Sequence, residues 1–145
     1  MKVLIQRVKK AGVNIDGESV ASINKGILAF VGIEKGDTKE QVEKLARKSV
    51  CLRIFPDEND KMNRSLLDIQ GEMLIVSQFT LCGDCRKGTR PSFDKSAPPD
   101  IANELYEYFI ELIKSYGIKT GTGKFGAMME ISLINDGPVT FMLES

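Results

Sequence analysis

Two short stretches hold residues whose types and order suit chemistry. Ser77-Gln78-Phe79-Thr80 places a hydroxyl, an amide and a second hydroxyl directly after the apolar run Met73-Leu74-Ile75-Val76. The end of a buried strand is where an irregular turn can aim backbone N–H groups at a reacting carbonyl, as an oxyanion hole requires. Thr80 is a candidate nucleophile, but a hydroxyl needs a neighbouring base to become one. The plain structural alternative is a strand edge whose Ser and Thr satisfy local backbone groups. The second stretch, Asn135-Asp136-Gly137-Pro138-Val139-Thr140, lies between two alternating apolar runs. Its turn chemistry predicts a tight reversal between two strands. Gly137 also lets another molecule approach its backbone. Pro138 has a fixed φ and offers a carbonyl without an N–H. A rigid Gly-Pro pair is therefore a way to present carbonyl oxygens in set directions.

The chain contains no histidine. That excludes a Ser-His-Asp or Cys-His nucleophile and any His-ligated metal within it. Proton transfers must use other groups, water or the substrate itself. Cys82-Gly83-Asp84-Cys85 has Cys-x-x-Cys spacing, yet Cys51 is the only other cysteine, and structural zinc needs four ligands. A reactive dithiol belongs at a helix N-terminus, whereas this pair follows a strand. Gly121-Thr122-Gly123-Lys124-Phe125-Gly126 matches Gly-x-Gly-x-x-Gly but follows a helix and precedes a strand, the reverse of a dinucleotide site. It reads better as a loop whose glycines allow close backbone approach. Neither a metal nor a cofactor is expected. Arg86, Lys87, Arg90 and Lys95 face only Asp84 and Asp94 in the same loop. Such a local excess of positive charge suits phosphate contacts, or is simply a solvated face.

These stretches need a scaffold. A chain of 145 residues suits one domain spanning 1–145, with room for a hydrophobic core. Apolar residues make up 42% and charged residues 28%, the balance of an ordinary globular protein. Lys+Arg and Asp+Glu both total 20, so nucleic acid would have to bind through a local patch. The opening Met-Lys-Val-Leu-Ile is too short for a signal-peptide core, and no run approaches transmembrane length. A cytoplasmic protein without membrane contact is expected.

Val3, Ile5 and Val8 read as a strand over Lys2 to Lys10. Val13 and Ile15 lead into Asp16-Gly17, with Val20 and Ile23 beyond, which is a hairpin signal. The apolar run from Ile27 to Ile33 suits a strand buried on both faces. Asp37-Thr38 opens a helix, and either Thr38 with Gln41 or Asp37 with Glu40 makes a capping box. Val42, Leu45, Ala46 and Ser49 form its inward stripe. Leu52 to Phe55 reads as a strand stopped by Pro56, and 57–63 as polar loop. Pro98-Pro99-Asp100 starts the longest helix. Its inward face is expected to hold Ile101, Leu105, Tyr108, Phe109, Leu112, Ile113 and Tyr116, and Gly117 ends it. Met129, Ile131 and Leu133 alternate in one strand, Val139, Phe141 and Leu143 in another. The order gives an α+β fold: a mixed, strongly curved, barrel-like sheet backed by two main helices.

Together, Ser77-Gln78-Phe79-Thr80-Leu81 and Asn135-Asp136-Gly137-Pro138-Val139-Thr140 resemble the paired signature of the D-aminoacyl-tRNA deacylases. Arg7-Val8, Leu52-Arg53-Ile54-Phe55, Lys61-Met62-Asn63, Gly88 with Arg90-Pro91-Ser92-Phe93, and Phe125-Gly126-Ala127 with Met129 extend the likeness along the chain. Arg64, where an apolar residue is expected, and Cys82 and Cys85 depart from it. The resemblance implies hydrolysis of the ester between a D-amino acid and the terminal ribose of tRNA, by a homodimer with active sites at the interface. It implies that Gly137 and Pro138, joined by a cis bond, hold the substrate's α-ammonium with main-chain carbonyls, and that Arg7 orients them. Ser77, Gln78, Phe79 and Thr80 would line the site, with N–H groups near Phe79 and Thr80 facing the oxyanion. Phe125, Gly126, Ala127 and Met129 would shape the pocket beside the terminal adenosine, and Arg86, Lys87 and Arg90 would touch tRNA. An L side chain would clash with the filter; glycine would not be fully rejected. Two other classes compete: a non-catalytic RNA-binding module using the basic loop, and a Ser/Thr hydrolase of another ester.

Overall fold

A computed structural model describes residues 1–145. The strands are β1 (Lys2–Ile15), β2 (Glu18–Ile23), β3 (Gly26–Gly32), β4 (Phe55–Pro56), β5 (Met62–Arg64), β6 (Glu72–Ser77), β7 (Lys119–Thr122) and β8 (Glu130–Glu144). The helices are α1 (Lys39–Cys51) and α2 (Pro99–Ser115), with a short 3-10 helix over Phe79–Cys82. No helix is long and apolar enough to cross a membrane.

The main sheet is mixed and runs β2-β1-β3-β6-β7, with β8 on the other edge of β1. β1 turns into β2 at Asp16 and Gly17, both at positive φ, the conformation that an Asp-Gly hairpin turn needs. β2 and β3 then lie end to end along one edge of β1, pairing with Ala11 to Ile15 and with Lys2 to Val8. β3 pairs parallel with β6, and β6 with β7. Parallel neighbours need crossovers, and α1 and α2 supply them. β3 is buried almost throughout, as its continuous apolar run requires.

The sheet carries two hydrophobic cores. Val3, Ile5, Ala29, Val31, Met73 and Ile75 face Val42, Leu45, Ala46 and Val50 of α1 and Leu105, Tyr106, Phe109, Ile110 and Ile113 of α2. Val8, Ala11, Val13, Ile23, Leu28, Leu74 and Val76 form a second, separate core. Each large side chain removed from water in this way stabilises by about 1.5–3 kcal/mol. α1 begins at Thr38, whose N–H donates to Gln41 Oε1 at 2.8 Å. Its inward Ser49 hydroxyl donates to the Leu45 carbonyl at 2.7 Å. In α2 the buried face is rotated from the expected one: Tyr106 and Ile110 point inward, while Ile101 is 43% exposed and Tyr116 37%. The Tyr106 hydroxyl explains part of this, because it donates to the Ile75 carbonyl of β6 at 2.9 Å.

Three further expectations are corrected. The segment 52–54 forms no strand; only Phe55–Pro56 pairs, with Met62–Arg64, which begins inside the expected loop. The Gly-rich motif is not wholly loop, since Lys119–Thr122 is β7. Its glycines do permit close approach: a Cβ at Gly121 would lie 3.2 Å from Leu74 Cδ1, and one at Gly123 2.6 Å from Met129 Sδ. Finally, residues 135–140 do not reverse the chain. β8 runs on through them, and both of its halves pair with β1, from Lys2↔Glu144 to Asn14↔Glu130. A long partner strand on both flanks overrides the turn signal and converts it into a bulge.

Candidate functional site

The bulge is measured by its register. Gln6 opposes Thr140 and Val8 opposes Asn135, so residues 136–139 all lie opposite Arg7. Gly137-Pro138 at its tip is a cis peptide. Gly137 has φ +147°, and a Cβ there would lie 2.6 Å from Val139 Cγ2 and 2.9 Å from the Val139 nitrogen. Both tip residues are exposed. Beneath them, Arg7 Nε donates to the Asp136 carbonyl at 2.8 Å and Nη1 donates to the Ile54 carbonyl at 2.6 Å. The Asp136 carboxylate adds a 3.6 Å ion pair with Nε. One guanidinium thus ties the bulge, β1 and the end of the α1 crossover together.

The other stretch lies where β6 ends. Ser77 is the last residue of β6, and the Gln78 N–H donates to the Val31 carbonyl at 2.8 Å. The chain then winds into the 3-10 helix that starts at Phe79. The opening N–H groups of a helix have no acceptor inside it; here they belong to Phe79 and Thr80. The Gln78 side chain donates to the Thr80 hydroxyl, so this hydroxyl is engaged beside its own backbone.

Ser77, Gln78 and Phe79 border a cavity of about 570 Å³. Phe125, Gly126, Ala127 and Met129 form another wall of the lining, to which Val76 and Ile131 add apolar surface. Phe125 stacks at 6.0 Å on Tyr106, so α2 supports that wall from behind. The rim is partly aromatic: Phe79, 57% exposed, packs on Phe93 with ring centroids 4.9 Å apart. A mainly apolar cavity of this size with a few convergent polar groups suits a small ligand or one nucleoside.

The structure therefore gathers seven of the expected residues around one cavity: Ser77, Gln78, Phe79, Phe125, Gly126, Ala127 and Met129. Thr80, Arg7, Gly137 and Pro138 do not line it, and neither do Arg86, Lys87 and Arg90. The last three lie on a loop closed by reciprocal Asp84–Ser92 backbone bonds of 2.7 and 3.0 Å. Arg86 is paired with Asp84, and the guanidinium holds that carboxyl well below the usual carboxylate range. Lys87 and Arg90 are exposed. Sequence reasoning missed Ser96, Ala97, Pro99 and Ala102, before and within the first turn of α2, which also line the cavity. The Ser96 hydroxyl oxygen is buried there without a hydrogen-bond partner in the chain. The Ala-Pro-Pro run marks a helix start but carries no sign that this start faces a cavity.

The family model described as D-Tyr-tRNA(Tyr) deacylase matches residues 4–144. A D-aminoacyl-tRNA deacylase of Thermosipho africanus is 59% identical over 145 residues, covering 100% of this chain and 97% of the relative. One from Desulfatibacillum aliphaticivorans is 58% identical, covering 100% and 99%. Among solved structures, a c-Myc DNA unwinding element binding protein superposes with TM-score 0.94 at 40% identity, covering 100% of this chain and 99% of that one. A probable eukaryotic D-amino acid tRNA deacylase shares the fold, with TM-score 0.83 at 17% identity over 98% and 97% of the two chains. The match to the family model over nearly the whole chain, with both motif stretches inside it, places this chain in the D-Tyr-tRNA(Tyr) deacylase family.

Proposed function

We propose that this chain hydrolyses the ester of D-aminoacyl-tRNA to free D-amino acid and tRNA. The observation that carries this reading is the meeting of Ser77, Gln78 and Phe79 with Phe125, Gly126, Ala127 and Met129 around one cavity. The terminal adenosine occupies the apolar part of that cavity. The scissile carbonyl lies beside the start of the 3-10 helix, where the Phe79 and Thr80 N–H groups stabilise the oxyanion that forms as water adds. No histidine is present to activate a side-chain nucleophile, so the 2′-hydroxyl of the terminal ribose assists the attacking water.

Gly137 and Pro138 act as the chiral filter. Their carbonyls hold the α-ammonium; an L side chain is driven into the filter and a D side chain points away, which is discrimination by clash. Glycyl-tRNA, with no side chain to clash, is also accepted. The exposed tip does not line the cavity of its own chain, so the filter is supplied by the second copy in a homodimer. Ile134, Phe141 and Met142 of the same strand are large apolar side chains left exposed on the single chain, and they offer apolar surface to that contact. Lys87 and Arg90 at the loop tip, with Arg86 behind them, meet tRNA phosphates. The protein works in the cytoplasm, beside translation.

Purified protein incubated with D-Tyr-tRNA and L-Tyr-tRNA, with a chelator present, tests this directly. Rapid loss of the D ester with the L ester spared is expected. Cleavage of both would remove the filter. Binding of tRNA without cleavage of either would replace the enzyme with an RNA-binding module.

A further inference from the structure

Building on the reading of Gly137-Pro138 as the chiral filter, we infer that Asn135 is a positioning residue that fixes the far foot of the bulge and so sets the D/L discrimination. A bulge of four residues opposite one takes its backbone out of the ladder, and those N–H and C=O groups need other partners. At the near foot, Arg7 meets the Asp136 carbonyl. At the far foot, Asn135 stands in for a missing peptide group. Its Oδ1 accepts the Val139 N–H at 2.7 Å, and its Nδ2 donates to the Val139 carbonyl at 3.3 Å and to Thr140 Oγ1 at 3.0 Å.

The chemistry leaves this amide one orientation. The Val139 N–H can meet only an acceptor, so the amide oxygen faces it and the NH₂ group faces the carbonyl and the hydroxyl. Gln6 Nε2 on β1 reaches the same hydroxyl at 3.2 Å, which carries the constraint across to the partner strand. Val139 is also the residue against which Gly137 is seated, since a Cβ at 137 would meet both its Cγ2 and its nitrogen. Fixing Val139 therefore fixes the direction in which the Gly137 and Pro138 carbonyls leave the strand. Asp cannot replace Asn here. It keeps the acceptor for Val139 N–H but sets a second oxygen against the Val139 carbonyl.

The test compares kcat/KM for D-Tyr-tRNA and L-Tyr-tRNA in wild type, Asn135→Asp, Thr140→Val and Gly137→Ala, each with its Tm. A smaller folded fraction lowers both substrates alike and leaves their ratio unchanged, so the ratio isolates positioning. Asn135→Asp is expected to lower the D:L ratio by about tenfold or more, the scale of loss from a small misplacement of a positioned group. Thr140→Val, which removes one of the three anchors and keeps the shape, should move it the same way by less. If Asn135→Asp does not fold, Thr140→Val decides. An unchanged ratio in the folded variants, with Gly137→Ala shifted, overturns the role of Asn135 and leaves the filter standing. If Gly137→Ala also leaves the ratio unchanged, the filter reading fails and this inference fails with it.

Discussion

Arg7 Nε donates to the main-chain carbonyl of Asp136 at 2.8 Å, across a sequence separation of 129 residues. The same guanidinium donates to the Ile54 carbonyl at 2.6 Å. Only a planar fork reaches two carbonyls in two directions at once; a lysine ammonium is a single point on a flexible stem. Arg7→Lys is expected to keep the charge and lose one of the two bonds. The stability loss should be about 1–3 kcal/mol, the scale for a buried carbonyl left without its donor. D-Tyr-tRNA turnover should fall by about 10- to 100-fold as the tip loses its direction. Chemical denaturation and steady-state kinetics on the one variant give both numbers. A wild-type rate in Arg7→Lys would show that the fork does not hold the site.

Gly137 is the second fixed point. Its φ of +147° is rarely adopted by L residues with a side chain, and an added Cβ would meet Val139 at 2.6 and 2.9 Å. The nearer of these is a methyl group, but the other is backbone and cannot move aside alone. Gly137→Ala is therefore expected to displace the tip and reduce discrimination between D-Tyr-tRNA and L-Tyr-tRNA. Strain at such positions is about 1–3 kcal/mol, so the variant should still fold. Unchanged selectivity in a folded Gly137→Ala would refute the filter.

Stability should fall on the acid side. Glu72 accepts hydrogen bonds from Lys119 Nζ at 2.9 Å and the Asn24 N–H at 2.9 Å, and these, Lys119 first, hold its carboxyl below its ordinary value. A carboxylate whose pKa is lower folded than unfolded contributes stability at neutral pH. That contribution disappears as pH falls through its depressed value. Asp57 and Asp68 are depressed in the same direction by hydrogen bonds to neighbouring residues. The expected result is a Tm that drops on acidification. Glu72→Gln should show a lower Tm at pH 7 and a shallower acid limb, because the group that titrates is gone. An identical slope in the two proteins would mean that Glu72 makes no difference.

What could be seen in the sequence follows the range of the forces involved. The capping box at Thr38 and Gln41, the Asp16-Gly17 turn and the buried run of β3 depend on neighbours in the chain, and local patterns disclose them. The bulge does not. Asn135 to Pro138 carries the chemistry of a reversal, and only the pairing of β1 with both flanks makes it a protrusion from one strand. The inward face of α2 departs from its helical periodicity for a related reason. Tyr106 is drawn in by a hydrogen bond to Ile75, 31 residues away, which no helical periodicity encodes. Of the cavity lining, Ser77, Gln78 and Phe79 are marked by their own residue types, and Phe125, Gly126, Ala127 and Met129 by the family resemblance, whereas the start of α2 became part of the cavity only through packing.

The hydroxyl of Thr80 offers the sharpest chemical test. It accepts a hydrogen bond from Gln78 and does not line the cavity, and the chain has no histidine to take its proton. If water attacks with help from the ribose, Thr80→Ala removes only a brace on the 3-10 turn and leaves the Thr80 N–H in place. D-Tyr-tRNA hydrolysis should then stay within about tenfold of wild type, well short of the loss expected when a nucleophile that acts with its partners as one unit is removed. The complementary substrate is D-Tyr-tRNA ending in 2′-deoxyadenosine, with the amino acid on the 3′ oxygen. Proton transfer by a positioned group contributes about 10²- to 10⁴-fold, so wild-type protein should lose a factor in that range on the deoxy ester. The opposite pair of results, a dead but folded Thr80→Ala and full activity on the deoxy ester, would make Thr80 the nucleophile and require an acyl-enzyme on its oxygen.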